Sequence, residues 1–257
     1  MLKINFMNSL SISLERQLEK QFVSNWANKE AIADKKTETS PKVELRGVPR
    51  SVVVHRSATS VFKRCVDVVG SLVGLTFLAA IFVPVAVAIK LDSPGPIFFS
   101  QVRCGLKGKT FRIYKFRSMV SNAEAVKHLV ENESIGHIFK NANDPRVTAL
   151  GRFLRKTSLD EFPQFLNVLK GEMSLVGTRP PTVDEAIHYS QRHWQRLLVK
   201  PGLTGEWQAN GRSEVKDFEA IVDLDLRYQR NWNELYDLKL IFKTIQVLFS
   251  RSSGACH

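Results

Sequence analysis

Cysteine is scarce in this sequence: Cys65, Cys104 and Cys256 are the only three in 257 residues. They form no CxxC and no spaced pairs, which excludes a disulfide framework and argues against a structural zinc site. A reducing cytosolic environment fits best. The six histidines show no metal-ligand spacing. The stretch GLKGK is neither a P-loop nor a dinucleotide fingerprint, so a hairpin turn is the better reading. There is no internal repeat and no low-complexity tract. Acidic residues are also few, 25 against 37 Lys+Arg, for a formal net charge of +12. Between Ser93 and Ala123 there is none, while Arg103, Lys107, Lys109, Arg112, Lys115 and Arg117 all fall there. Such an excess points to a partner with many negative charges: nucleic acid, an anionic membrane face or a phosphorylated substrate. With 44% hydrophobic residues the chain is too apolar for disorder, and its length suits one to two domains.

The longest uncharged run lies just upstream of that basic stretch. Val68 to Ile89 holds 22 residues without a charge. As a helix it would reach roughly 33 Å, enough for a hydrocarbon core of about 30 Å. Its position, near residue 68, is wrong for a cleavable signal peptide. Both flanks are basic: Arg46, Arg50, Arg56, Lys63 and Arg64 precede it, and Lys90 and the six basics follow. A straight crossing would export one basic flank, against the positive-inside rule. Pro84 offers a break, so a helix that enters, bends near Val83-Pro84 and returns is favoured over a kinked spanning helix.

Three regions follow from this reading: 1–60 as an extension and linker, 61–92 as the re-entrant membrane helix, and 93–257 as a cytoplasmic catalytic domain. In the first, Leu14, Leu18, Phe22 and Trp26 predict one amphipathic helix over 11–29, and ADKKTETSPK a linker. Ser51–Val54 reads as a short strand. Beyond the membrane segment, Asp92-Ser93-Pro94-Gly95-Pro96 is a turn, and Ile97–Arg103 with Thr110–Phe116 forms a hairpin. Helices are expected over 123–133, 147–156, 218–232 and 238–249. In the last of these Leu238, Ile241, Ile245 and Leu248 share a stripe suited to core packing or to a membrane interface. Pro201–Gly205 reads as a rigid turn. The fold class is α+β, mostly helical, with a small hairpin and interfacial amphipathic helices.

Chemistry concentrates in RFLRKTSLDEFPQFLNVLKGEMSLVGTRPP, residues 152–181. Phe162, Phe165, Leu166 and Leu169 mark an apolar helix face, Gly171 a C-terminal stop, and Pro163 a first-turn position. Asp160 and Glu161 then sit at the helix mouth. A bland account exists, because Ser158-x-x-Glu161 matches a capping box. Such a box, however, would place Pro163 five residues into the helix, where its ring clashes with the carbonyl of residue 159. Around the acidic pair cluster Arg152, Arg155, Lys156 and Arg179. Guanidinium forks bind phosphate oxygens. A carboxylate pair can hold Mg²⁺ together with substrate phosphates, and a carboxylate can attack phosphorus to form an acyl phosphate. The combination points to phosphoryl transfer at a membrane surface.

The blocks KRCVDVV, DSPGPIFFSQVRCG, FRIYKFRSM, DPRVTALGRFLRKTSLDEFPQFLNVLKGEMSLVGTRP, KPGLTGEWQANGR and DLKLIFKTI occur in order over about Val61–Ser250. In them the chain resembles the bacterial sugar transferases, the monotopic phosphoglycosyl transferases that begin exopolysaccharide or glycoconjugate assembly. The resemblance implies a re-entrant membrane helix and a two-step reaction at the cytoplasmic face of the bacterial inner membrane. Asp160 would attack the β-phosphate of a UDP-sugar and release UMP, and the phospho-sugar would pass to undecaprenyl phosphate. It also implies Mg²⁺ with Asp160 as a ligand, Glu161 in an assisting role, and Arg155 and Arg179 at the phosphates. Arg152, Lys156 and Arg212 are further substrate-binding candidates. Thr178, Phe162 and Glu206 depart from the family pattern; the first is read as loosening the Arg179 turn, the others as tuning packing or substrate fit. The rival reading is a non-catalytic membrane scaffold or regulator that binds anionic lipid, which needs no acidic pair. A nucleic-acid partner is not expected, since no module interleaving basic and aromatic residues is recognisable. The sugar is unreadable, and oligomeric state is left open, a homodimer included.

Overall fold

A computed structural model describes residues 53–210, 215 and 217–252, with side chains of the last helix described to residue 248. The expected amphipathic helix over 11–29, its linker and Arg212 lie outside the described residues. Of the strand expected at 51–54, Val53 and Val54 are described, and they are not in a strand.

The apolar run becomes one helix, α1 (Val61–Asp92), whose first turn is capped by the Ser60 side chain accepting from the Lys63 amide. Its apolar stretch is long enough to cross a membrane by length and composition. The helix continues through Pro84, so the chain does not leave helical geometry at Val83-Pro84. Proline removes its own N–H from the ladder and can bend a helix without ending it. One stripe of α1, Lys63, Asp67, Ser71, Gly74, Ala86 and Ile89, is buried against the rest of the protein. The opposite stripe, Val69, Leu72, Val73, Phe77, Val83 and Val87, is 51–65% exposed. Gly74 permits the close approach, because a Cβ there would lie 2.5 Å from the Phe165 ring.

The turn after α1 forms as expected, and it explains one member of the basic run. Buried Arg117 donates to the carbonyls of Ile89 (3.2 Å), Ser93 (2.6 Å) and Pro94 (2.8 Å), closing the helix C-terminus. The hairpin is present as β1 (Phe98–Cys104) and β2 (Thr110–Phe116), antiparallel, with Arg103 opposite Phe111 and Phe99 opposite Lys115. Alternation places Arg103, Gln101, Ile113 and Lys115 on one face. Ile113 on that face is buried with Val168 and Met173. The helix expected over 123–133 is largely turns, with a single 3₁₀ turn at Lys127–Leu129. Asn132 explains part of this, since its Oδ1 accepts from the amides of Ser134 (3.1 Å) and Lys140 (2.9 Å) and holds a loop.

Helix α2 (Ala149–Lys156) starts at a Thr148 cap. A 3₁₀ segment (Leu159–Gln164) leads into α3 (Phe165–Lys170), which ends at Gly171 with φ +82°. Strand β3 (Ser174–Val176) then pairs in parallel with β4 (Gly202–Thr204). The Pro201–Gly205 stretch is therefore partly strand rather than only a turn. Gly177 makes this pairing feasible, because a Cβ there would meet the Lys200 carbonyl oxygen at 2.1 Å. Short helices α4 (Val183–Ala186), α5 (Gln191–Trp194) and α6 (Glu206–Ala209) precede α7 (Phe218–Asn231) and α8 (Glu234–Ser252). The largest core cluster joins Tyr189, Trp194, Leu197, Trp207, Phe218 and Ile221. On α8 the predicted stripe splits: Ile241 packs inward beside buried Leu240, while Leu238 and Ile245 stay exposed with Phe242.

Candidate active site

The 3₁₀ segment packs against β2 and α1, and it carries the acidic pair. Ser158 before it has φ +56° and makes no side-chain cap bond, so the capping box is not formed. Asp160 is buried. Glu161 accepts from Lys115 Nζ at 2.8 Å, with a quarter or less of either side chain exposed. Pro163 fits because a 3₁₀ turn bonds i to i+3 and spares the carbonyl that an α-helix would crowd.

Arg179 follows β3 and points at Glu185, donating through Nη1 at 3.1 Å. Glu185 is itself fixed by a capping box, in which the Thr182 amide donates to its Oε2 (3.0 Å) and its amide donates to Thr182 Oγ1 (3.1 Å). Burial pushes the Glu185 carboxyl up, but the Arg179 and Arg103 guanidiniums outweigh this and hold it below its usual value. Arg103 feels charges from both groups. Burial, and after it the Arg179 charge, push its guanidinium down to about 10, while Glu185 and Glu161 pull the other way. Arg103, Arg179, Glu185 and Glu161 thus share one electrostatic neighbourhood.

The remaining basic candidates, Arg152, Arg155 and Lys156, lie on α2, the helix that precedes the acidic pair. Arg155 donates from Nε to Ser118 Oγ at 2.9 Å, and its charge reaches Asp144, which Arg146 holds in a buried ion pair at 2.7 Å. Arg152 and Lys156 are exposed on α2, Arg152 donating to the Val147 carbonyl at 3.2 Å. Thr178 does not loosen the Arg179 turn. It is buried, its Oγ1 donates to the Arg196 carbonyl at 3.0 Å, and its own carbonyl accepts from the Gly202 amide at 2.9 Å. Phe162 stacks edge-on against Phe165 with centroids 5.5 Å apart, a packing role. Glu206 is buried and accepts from the Tyr236 hydroxyl.

Sequence reasoning did not single out Arg103, Lys115 or Glu185. The hairpin register was the available signal for the first two, since pairing puts both on the face toward the acidic pair. For Glu185 the signal was Thr182-x-x-Glu185, a capping-box spacing.

A helix of membrane-crossing length docked on an α+β body, with a buried acid–guanidinium site, is the class these elements define. The chain belongs to the bacterial sugar transferase family, whose family model matches residues 58–251. Galactosyl transferase CpsE of Streptococcus agalactiae is 46% identical over 200 residues, covering 77% of this chain and 44% of that protein. The undecaprenyl-phosphate galactose phosphotransferase of Salmonella typhimurium is 43% identical over 198 residues, 75% of this chain and 41% of its own. Exopolysaccharide production protein ExoY of Sinorhizobium fredii is 38% identical over 213 residues, 80% of this chain and 94% of its own. The chain therefore spans less than half the length of the first two relatives and nearly all of the third.

Proposed function

We propose that this protein is a phosphoglycosyl transferase that moves a hexose-1-phosphate from a UDP-sugar to undecaprenyl phosphate. The observation that carries the reading is Asp160, buried in a 3₁₀ turn where it serves no capping box, beside a Glu161 held by Lys115. In the first step an Asp160 carboxylate oxygen bonds to the β-phosphorus, the bond from that phosphorus to the bridging oxygen breaks, and UMP leaves. In the second, a phosphate oxygen of undecaprenyl phosphate attacks the same phosphorus and returns Asp160 to a free carboxylate. Glu161 takes the proton of the acceptor phosphate, and Arg179 and Arg155 balance phosphate charge.

Mg²⁺ is the cofactor of this reading. Among the described residues no group of three or more His, Cys, Asp or Glu could hold a metal ion by itself. Mg²⁺ commonly takes one or two carboxylates and completes its shell with water and substrate phosphates. Asp160, with Glu161 next in the chain, has that donor chemistry. When bound, the ion supplies positive charge against the diphosphate. Purified protein given UDP-glucose or UDP-galactose with undecaprenyl phosphate is expected to release UMP, to stop in excess chelator and to recover with added Mg²⁺. Absence of UMP with every UDP-sugar tried would return the protein to the lipid-binding scaffold reading.

The same reading places both ends of α1 on the cytoplasmic side. Its support is that both ends dock on one body. Lys63 Nζ donates to the Val176 carbonyl (2.8 Å), and Arg64 donates to the carbonyls of Val168 and Leu169 (2.8 and 2.7 Å). At the other end Ile89 is buried with Phe116 and Leu154. Burying polar groups along a stripe that would otherwise face lipid keeps them bonded. Cysteines engineered before Arg64 and after Lys90 should both resist a membrane-impermeant thiol reagent in intact cells; labelling of one flank alone would establish a crossing.

A further inference from the structure

Within this proposed reaction, the family resemblance assigns no role to Arg103. Its backbone bridges to Thr182, and the next residue, Cys104, donates its amide to the Pro181 carbonyl at 2.9 Å. Its guanidinium makes two hydrogen bonds: Nη1 donates to the Pro180 carbonyl at 3.1 Å and Nη2 to Gln101 Oε1 at 2.6 Å. The third donor, Nε, is buried and has no acceptor. The strand edge thus grips the segment that starts at Arg179; the Arg179 charge is felt at Arg103, and Glu185 is the carboxylate bonded to Arg179 and acting on both.

Two like charges held close with a buried N–H left over cost repulsion and desolvation, which Glu185 offsets only in part, since the Arg103 guanidinium stays below its usual pKa. An anion with several oxygens removes both costs. We propose that Arg103 and Arg179 form a paired clamp for the diphosphate of the nucleotide-sugar, with Glu185 a positioning residue that holds Arg179 until the phosphates arrive. Burial first, and the Arg179 charge after it, lower the Arg103 pKa to about 10, which leaves Arg103 protonated at neutral pH. Arg suits the place better than Lys because its planar fork can keep the Pro180 and Gln101 bonds while its delocalised charge still serves the phosphates.

The rival explanation is that Arg103 is only a strut for the loop. Full-length protein in detergent would be titrated with UDP and with uridine by calorimetry, using wild type, Arg103→Gln, Arg103→Lys and Asp160→Asn. The clamp predicts UDP binding weaker by about 10- to 100-fold in Arg103→Gln, with a reduced salt dependence. Uridine affinity and the unliganded thermal midpoint should stay close to wild type. Arg103→Lys keeps the charge and should fall between the two, which covers the case where Gln fails to fold. Unchanged UDP affinity in Arg103→Lys and in folded Arg103→Gln, or equal losses for UDP and uridine, would overturn the clamp. Asp160→Asn, titrated in excess chelator so that no Mg²⁺ contributes, separates the two readings: it removes the proposed nucleophile while the Arg103 dependence of UDP binding is read independently of the metal. A wild-type protein that binds UDP through Arg103 yet never releases UMP would keep the clamp and remove the transfer reaction.

Discussion

Asp160→Asn is expected to lower UMP release on the order of 10³-fold or more, the scale seen when a covalent nucleophile is removed. The substitution keeps the side chain's shape but removes the anionic oxygen that must attack phosphorus. Asn and Asp rank together as helix caps, so a structural Asp160 would tolerate the change. Here the local geometry already speaks against capping: the residue before the 3₁₀ segment is Ser158 in a left-handed conformation, with no cap bond. Two measurements check the prediction. UMP release should vanish, and wild-type enzyme, but not the variant, should retain label from a UDP-sugar radiolabelled in its β-phosphate when no acceptor is present. The variant's thermal midpoint should remain near wild type. Glu161→Gln is expected to lose activity as well, because it also dissolves the Lys115 ion pair. Near-normal UMP release by Asp160→Asn would leave the mechanism without a nucleophile.

Arg196→Met should produce the largest loss of stability. Arg196 and Asp225 form an ion pair at 2.7 Å with side chains only 2% and 1% exposed. Arg196 also donates to the Tyr189 hydroxyl at 2.6 Å and lies over the Phe218 ring at 5.4 Å. Arg196 bonds Asp225 through Oδ2, and Oδ1 is buried without a hydrogen-bond partner among the described residues, so removing the guanidinium strands a buried carboxylate. Breaking such a pair costs about 3–5 kcal/mol, or a fall in thermal midpoint of roughly 6–20 °C for a domain of this size. Replacing both partners, Arg196→Met with Asp225→Leu, should recover most of that loss, because the apolar pair leaves no unpaired charge. Tryptophan fluorescence melts of the three proteins in one detergent give the comparison. A single variant that melts within 2–3 °C of wild type would show that the pair is not a determinant of the core. The effect should also reach the site, since the Arg196 carbonyl is the acceptor for Thr178, next to Arg179.

Local chemistry was enough to recover much of this protein from its sequence. An uncharged run of that length had to become a helix with an apolar exterior, and α1 is one. The proline- and glycine-rich turn, the alternating segments around GLKGK and the Gly171 stop follow from backbone sterics acting over a few residues. Pro163 so close behind Asp160 and Glu161 ruled out a regular capping box, and the 3₁₀ segment bears this out. Even the site was half visible, because an acidic pair among arginines is unusual at any spacing.

Tertiary structure decided what depends on residues far apart in the chain. Six basic residues in one run looked alike in sequence; folding made Arg117 a closure of α1, left Arg112 on the outer face of the hairpin, and turned Arg103 and Lys115 toward the acidic pair. Strand alternation shows that two residues share a face, but only the packing of Ile113 on Val168 and Met173 says which face is inside. Gly202–Thr204 within the Pro201–Gly205 stretch became a strand because Gly177 and Gly202 let two backbones approach more closely than any Cβ allows. Thr178 was pinned rather than loosened, since its hydroxyl meets a carbonyl 18 residues away. Each of these outcomes rests on pairing, burial or charge between segments that are remote in sequence, which no local pattern encodes.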